Sequence, residues 1–447
     1  MNAAFPASVF QLDNGLTLIH QEIPTTPVVV ADVWVRAGAH LEKEPCFGMA
    51  HFLEHMIFKG TATLAPGVFD QKIENRGGVT NAATSHDYAH YSLTTAAVHL
   101  EDTLPHLGEL LLNAAIPEDE FSRERDVVLE EIRQAHDDPD WIGFHALISS
   151  VYQHHPYGRS VLGSEQELMQ QSPEIMRCFH RNHYQPENMT VVIVGGIAEE
   201  SAVKLVSRTF VDFGDRVARP VPEALRASPE LRSGSQSETG WAHTGDRCCD
   251  CPEKKEVTPV IAGIRRQELH LPRLEQARLL MAWTGPGVEQ LCTSYGLDLL
   301  SVLLAEGRTS RLVRDLREEQ QLVQGICSNF SLQRDASLFT ITAWLEPENV
   351  ERVESLIRLH LNDLISNPIS EQELTRCQRL LCNDYAFSTE TPNQLAGLYG
   401  YYNTIAQAEL AVTYPWQIQS YSAKKLQELA QEYLSPNHYA VTVLKPC

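Results

Sequence analysis

Nowhere does the sequence offer about 18 unbroken apolar residues, the length that a membrane-crossing helix needs. Its start, Met1-Asn2-Ala3-Ala4-Phe5-Pro6, also lacks the basic region followed by an apolar stretch that marks a secretory leader. No membrane association is expected. Positive charge is scarce, with 36 Lys and Arg against 58 Asp and Glu and a net charge of −22 at pH 7. Phosphate backbones are held by basic patches, so a nucleic-acid partner is not expected, and the acidic surface favours cationic substrates. Any cysteine framework is lacking as well: ten cysteines lie at uneven spacings through 447 residues. That scatter suits free thiols in the cytoplasm or another reducing compartment.

What remains is ordinary globular material, 43% hydrophobic and 21% charged, and too long for one core. Strand-like runs such as Leu16-Thr17-Leu18-Ile19 and Val28 to Val35 are followed by long helical stretches and a further strand around Tyr91-Ser92-Leu93-Thr94, an α+β pattern. Met189 to Gly196 reads as a buried strand ending in a glycine turn.

A weak long-period echo links the two halves. Phe47 to His55 resembles Tyr295 to Leu303 in its glycine and apolar spacing, and Glu120-Phe121-Ser122-Arg123 matches Glu373-Leu374-Thr375-Arg376. Residues 1–227 and 263–447 are therefore expected to be one fold used twice, joined by a linker with a surface insertion at 228–262 that is rich in Ser, Gly, Pro and charge. The second copy carries Leu299, Val302 and Leu303 where the first carries His51, Glu54 and His55, so only the first can hold a metal.

On a helix, His51, Glu54, His55 and Phe58 share a narrow arc, while Met49, Leu53 and Met56 lie opposite. Such a helix is apolar nearly all round and tolerates ionisable groups only when they are paired, hydrogen-bonded or metal-bound. Imidazoles at i and i+4 can grip one cation, with Glu54 beside them; the same five residues also suit a pair of satisfied core histidines. A catalytic zinc usually takes three protein ligands, which sends the search elsewhere for a third. In the helix predicted over 120–133, Glu124 and Glu131 share a face with Phe121, Val127, Val128 and Ile132, whereas Arg123, Asp126, Glu130 and Arg133 face solvent. Helical phase thus selects Glu131 over Glu130. Two carboxylates on an apolar face suit either a ligand with its hydrogen-bonded support or buried salt bridges.

These features together resemble the insulinase and pitrilysin family of zinc peptidases, and within it the branch of mitochondrial-processing-peptidase-like subunits. The resemblance spans nearly the whole chain. It rests on Gly48 with His51-Phe52-Leu53-Glu54-His55-Met56-Ile57-Phe58-Lys59-Gly60-Thr61, on Gly77-Gly78 with Asn81-Ala82 and Tyr91, and on Glu124 ahead of Glu131. It implies two α/β-sandwich halves, each an antiparallel-rich sheet packed with helices, closing as a clam-like chamber. It also implies one zinc ion per chain on His51, His55 and Glu131, with Glu54 as general base and Glu124 supporting the site. Asn81 and Ala82 match an edge strand that accepts substrate as an added strand.

In the second half Arg317 matches a family arginine that helps hold substrate. Seven positions later the family carries a tyrosine; here the residue is Gln324, an amide that can still donate a hydrogen bond. The resemblance therefore implies a dimer, homo- or hetero-, with a related metal-less subunit as the heterodimeric partner, acting on oligopeptides or presequence-like segments. Its other reading is a zinc-site peptide-binding or structural core subunit with little activity alone. Within the linker, Cys248, Cys249 and Cys251, with His243 before them, are read as an incidental surface loop, since adjacent cysteines rarely ligate one ion.

Overall fold

The computed structural model describes residues 4–210 and 260–447. The expected linker, 228–262, lies outside the described residues except for its last three, and His243, Cys248, Cys249 and Cys251 lie outside them with it.

The first half contributes strands β1 (Ser8–Gln11), β2 (Thr17–Glu22), β3 (Val28–Val35), β4 (Val79–Thr84), β5 (Ala89–Ala96) and β6 (Met189–Gly195). Its helices are α1 (Met49–Ile57), α2 (Val68–Glu74), α3 (Leu100–Asn113), α4 (Glu118–Asp137), α5 (Pro139–Tyr152), α6 (Glu165–Gln170), α7 (Pro173–His183) and α8 (Glu199–Thr209). The second half contributes β7 (Ile264–Leu271), β8 (Ala277–Pro286), β9 (Val323–Ser331), β10 (Ala336–Leu345) and β11 (Tyr439–Pro446). Its helices are α9 (Leu291–Ala305), α10 (Val350–Ser366), α11 (Glu371–Phe387), α12 (Pro392–Ile405), α13 (Tyr414–Ser420) and α14 (Ala423–Tyr433).

The sheets run β1-β2-β6-β3-β5-β4 and β7-β11-β8-β10-β9. Without β1 the two orders superimpose, and in each the one parallel pair, β2 with β6 and β7 with β11, falls in the same place. The duplication expected from the sequence is therefore present strand by strand. At the end of β6, Gly195 has φ +140°, and a Cβ there would sit 2.2 Å from the Val28 carbonyl, so only glycine closes the turn.

Alternation along β3 explains how the halves join. Val29, Ala31, Val33 and Val35 enter the first half's own core with α1 and α3. Val30 and Trp34, on the opposite face, join the second half's core, where α12 covers β3 and β6. Gly400 of α12 allows this contact, because a Cβ there would lie 2.0 Å from the Trp34 indole nitrogen. In return α5 packs Leu147, Ile148 and Val151 against Leu280, Ala282 and Leu444 of the second sheet. The two halves have thus exchanged equivalent helices, a long-range arrangement that no local pattern encodes.

Among the described residues seven cysteines are free, and no helix is long and apolar enough to cross a membrane.

Candidate active site

Helix α1 is set rigidly before it presents any chemistry. Gly48, with φ +83°, opens it where a Cβ would stand 2.5 Å from the Leu162 carbonyl. The buried Glu42 side chain caps its start, accepting from the Gly48 N–H at 2.9 Å and the Ala50 N–H at 2.7 Å. Burial pushes the Glu42 carboxyl up to about 8. Met49, Phe52, Leu53 and Met56 then anchor the helix in the core.

One turn apart on α1, the His51 and His55 rings lie with centroids 4.8 Å apart. Glu131, from α4, brings its carboxylate to within 3.6 Å of His51 Nε2 and 3.5 Å of His55 Nε2. One ligand atom from each of the three falls within 4.8 Å of the other two. Glu130, its neighbour, is exposed. Two imidazoles and a carboxylate converging on one point form a donor set that suits zinc, with room for a fourth ligand on the cavity side. Burial pushes the His51 imidazole down to about 4, which keeps it neutral as a ligand must be. Burial also acts to lower His55, but contacts with Glu131 and Glu124 outweigh it and its net direction is up. Contact with His55 in turn holds the Glu131 carboxyl below its usual range.

Glu124, one helical repeat earlier on the same face of α4, accepts from His55 Nδ1 at 3.0 Å and pairs with Lys59 Nζ at 2.6 Å. It therefore fixes the ring so that Nε2 faces Glu131, the arrangement by which a carboxylate orients a histidine ligand. Glu54 points into the cavity and accepts from the Thr84 hydroxyl at 2.5 Å. Burial raises the Glu54 carboxyl, with the Thr84 hydrogen bond opposing that rise.

Thr84 ends β4, the open edge of the first sheet, so the strand bearing Asn81 and Ala82 does border the site. The Ser85 N–H donates to the Tyr88 carbonyl at 2.7 Å, which sets the phase of the β4–β5 ladder. Asn81 and Ala83 then turn their backbone groups toward β5, while Thr80, Ala82 and Thr84 turn theirs to the open edge. Ala82 is thus placed to pair with an added strand through its backbone, and Asn81 offers only an exposed side chain.

The site opens into a cavity of about 640 Å³ that, among the described residues, is lined from the first half alone. Helix α5 supplies an aromatic wall: Trp141 stacks on His145 with centroids 4.9 Å apart, and Phe144 is 46% exposed. Arg317 and Gln324 do not line this cavity. Arg317 is half-exposed on a π-helical turn with Glu318 at 3.9 Å, and Gln324 is exposed on the edge strand β9. Sequence reading does not reach Thr84, Lys59 or Glu42, whose roles come from tertiary contacts. The α5 wall carries a detectable signal, the i, i+3, i+4 spacing of Trp141, Phe144 and His145 just beyond Glu131.

A duplicated sandwich in which, among the described residues, two imidazoles and a carboxylate converge in one half only is the architecture of the inverted-motif zinc peptidases. The chain belongs to the insulinase family: residues 17–165 match the model for insulinase (peptidase family M16), and residues 172–381 match that for the peptidase M16 inactive domain. It is 26% identical over 439 residues to the zinc protease PqqE of Helicobacter pylori, covering 97% of this chain and 92% of that one. The uncharacterized zinc protease YmxG of Bacillus subtilis is 26% identical over 86% of this chain and 85% of its own length. The crystal structure of a protease from Helicobacter pylori superimposes with a TM-score of 0.85 at 25% identity, covering 98% of this chain and 99% of that one. A peptidase M16 inactive domain from Pseudomonas fluorescens shares the fold at a TM-score of 0.81 and 18% identity, covering 99% of each chain. Fold alone therefore does not decide activity; the site must.

Proposed function

We propose that the chain is a zinc-dependent endopeptidase that binds one zinc ion on His51, His55 and Glu131 and cleaves extended peptides. The observation that carries this reading is the convergence of those three donors beside Glu54, whose carboxylate faces the same cavity. Zinc in such a site supplies Lewis acidity, polarising a peptide carbonyl and lowering the pKa of water toward about 7. Glu54 accepts the proton from the attacking water and returns it to the leaving amine, and a carboxyl raised by burial is better matched to that second task. The open backbone groups of Ala82 and Thr84 hold the peptide extended, which reads little of its sequence. Selectivity then falls to the cavity, where Trp141 and Phe144 favour a large apolar residue next to the scissile bond.

Gln324, lacking a phenol and standing away from the cavity, supports a second part of the reading: a related metal-less subunit completes substrate binding. The test is cleavage of unstructured peptides by the purified zinc-loaded chain, alone and with any related subunit that co-purifies. Glu54→Gln is expected to lower kcat by about 10²–10⁴-fold while zinc content stays at one per chain. Undiminished cleavage by Glu54→Gln would remove Glu54 as the base. Full turnover by the chain alone would remove the need for a partner.

A further inference from the structure

Two turns that the duplication makes equivalent meet where the halves join. Ser85 to Tyr88 connects β4 to β5, and Leu332 to Asp335 connects β9 to β10 at the matching place in the second sheet. Asp87 stands on the first turn and Arg334 on the second. The Asp87 carboxylate accepts from the Tyr157 hydroxyl at 2.8 and 3.0 Å and, across the junction, from the Arg334 backbone N–H at 3.2 Å. The Tyr157 oxygen accepts in turn from the Asp335 N–H at 3.1 Å, and Tyr157 itself is buried. The Arg334 guanidinium closes the ring, donating to His40 Nε2 at 2.8 Å. His40 belongs to the first half's grip on the same turn, since its N–H donates to the His86 carbonyl at 2.8 Å.

Position gives this junction its interest. The turn begins one residue after Thr84, whose hydroxyl holds Glu54 at 2.5 Å. That hydrogen bond ties the Glu54 carboxylate to the end of β4, and a displacement of the strand end by more than about 0.5 Å would take it past the usual O–H···O range. We propose that Asp87 is a positioning residue through which the second half fixes Thr84, and with it the base Glu54 and the open edge of β4. The second half thereby reaches the chemistry without contributing a residue to the cavity. The proposal rests on the peptidase reading of Glu54.

The test compares Asp87→Ala with Asp87→Asn in the full chain. In Asn an amide oxygen at the outer position keeps both donors, the Tyr157 hydroxyl at 3.0 Å and the Arg334 N–H at 3.2 Å. Asp87→Ala is expected to lower kcat about tenfold with zinc content unchanged, and to speed amide exchange in β4 about as much. Asp87→Asn should stay within about threefold of the parent on both measures. Should Asp87→Ala fail to fold, Tyr157→Phe removes the bridging hydroxyl and keeps the packing, and it should shift kcat and β4 exchange in the same direction. A lowered melting temperature with kcat and β4 exchange unchanged overturns the proposal. No cleavage by the unsubstituted zinc-loaded chain would sink the peptidase reading instead, and β4 exchange would still decide whether Asp87 holds the strand.

Discussion

Helices α1 and α9 occupy the same place in two copies of one fold, yet only one carries chemistry. Where α1 has His51, Glu54 and His55, α9 has Leu299, Val302 and Leu303, all buried. In the register that matches Glu120 with Glu373, Glu124 falls opposite Cys377, which is wholly buried, and Glu131 opposite Asp384. The metal-less half has thus filled with side chains what the other half keeps as ionisable groups around a cavity. Burying such groups is costly, and the first half offsets part of the cost with a polar partner behind three of them, Glu124 behind His55, Lys59 behind Glu124 and Thr84 behind Glu54, while the buried Nδ1 of His51 has no hydrogen-bond partner among the described residues. Site and scaffold are separable here, because the fold persists where the site has been erased.

Converting one half toward the other tests that separation most directly. His51→Leu combined with His55→Leu gives α1 two of the three matching residues of α9; zinc should be lost and cleavage should fall by at least about 10³-fold, read by metal analysis and peptide turnover. The metal-free fold should change little in stability in denaturant, because Glu124 keeps its pair with Lys59 and Glu131, 43% exposed, stays in contact with water, so neither carboxylate is left buried without a partner. Marked destabilisation would mean that the histidines are structural.

Acid should also separate the halves. Among the described residues, every histidine that burial lowers lies in the first half, with His40, His51 and His183 pushed down to about 4. A lowered pKa means that the fold favours the neutral ring. The stability this gives is present above about 6.5 and is lost as pH falls from there to about 4, roughly 3 kcal/mol for His51 in the metal-free protein. His55 works the other way: its pKa is raised, so its contribution is present below about 6.5 and fades as pH rises through the folded value. His86, His106, His145 and His155 are lowered as well. Together the seven lowered histidines outweigh the raised groups of the same half, His55, Glu42, Glu54 and Asp87, whose contributions grow as pH falls. Amide exchange in metal-free protein should therefore show the first half opening before the second as pH drops. Simultaneous opening would break the comparison. Glu124→Gln probes a smaller difference, the hydrogen bond behind His55 in the proposed zinc site. It should weaken zinc binding about 10–100-fold by chelator competition, and unchanged affinity would leave Glu124 only its pair with Lys59.

The sequence revealed most where the chemistry is local or strictly periodic. His51 and His55 are one turn apart on one helix, so their meeting follows from spacing alone. The choice of Glu131 over Glu130 follows from helical phase, and the structure sets Glu131 against both imidazoles. The duplication was readable because apolar and glycine spacing survived on α1 and α9 even where the ligands did not. The exchange of α5 and α12 was not readable, since an apolar helix face does not say which sheet it will cover. The polar partners Thr84, Lys59 and Glu42 stayed hidden for a related reason. Each is a common surface residue type whose meaning depends on one contact made across the fold.

The face of α4 shows how far the wheel can be trusted. Its buried stripe is Phe121, Glu124, Val128, Leu129 and Ile132, and the expected member Val127 is 51% exposed. At about 100° per residue Val127 lies about 120° from the centre of that stripe, beyond its edge, and its apolar side chain misled the reading. Glu131 lies about 80° from the same centre, at the rim, which is why its side chain is 43% exposed and can face both the imidazoles and the cavity. A ligand that must meet solvent belongs at such a rim, and a deeply buried position would have closed the site. Val127→Ser should therefore change stability by no more than about 0.5 kcal/mol. Val128→Ser, at a position with no exposure, should cost about 2 kcal/mol or more in denaturant unfolding. Equal costs at the two positions would show that the helix turns its faces differently, and would take from Glu131 the rim position that suits it to hold a metal.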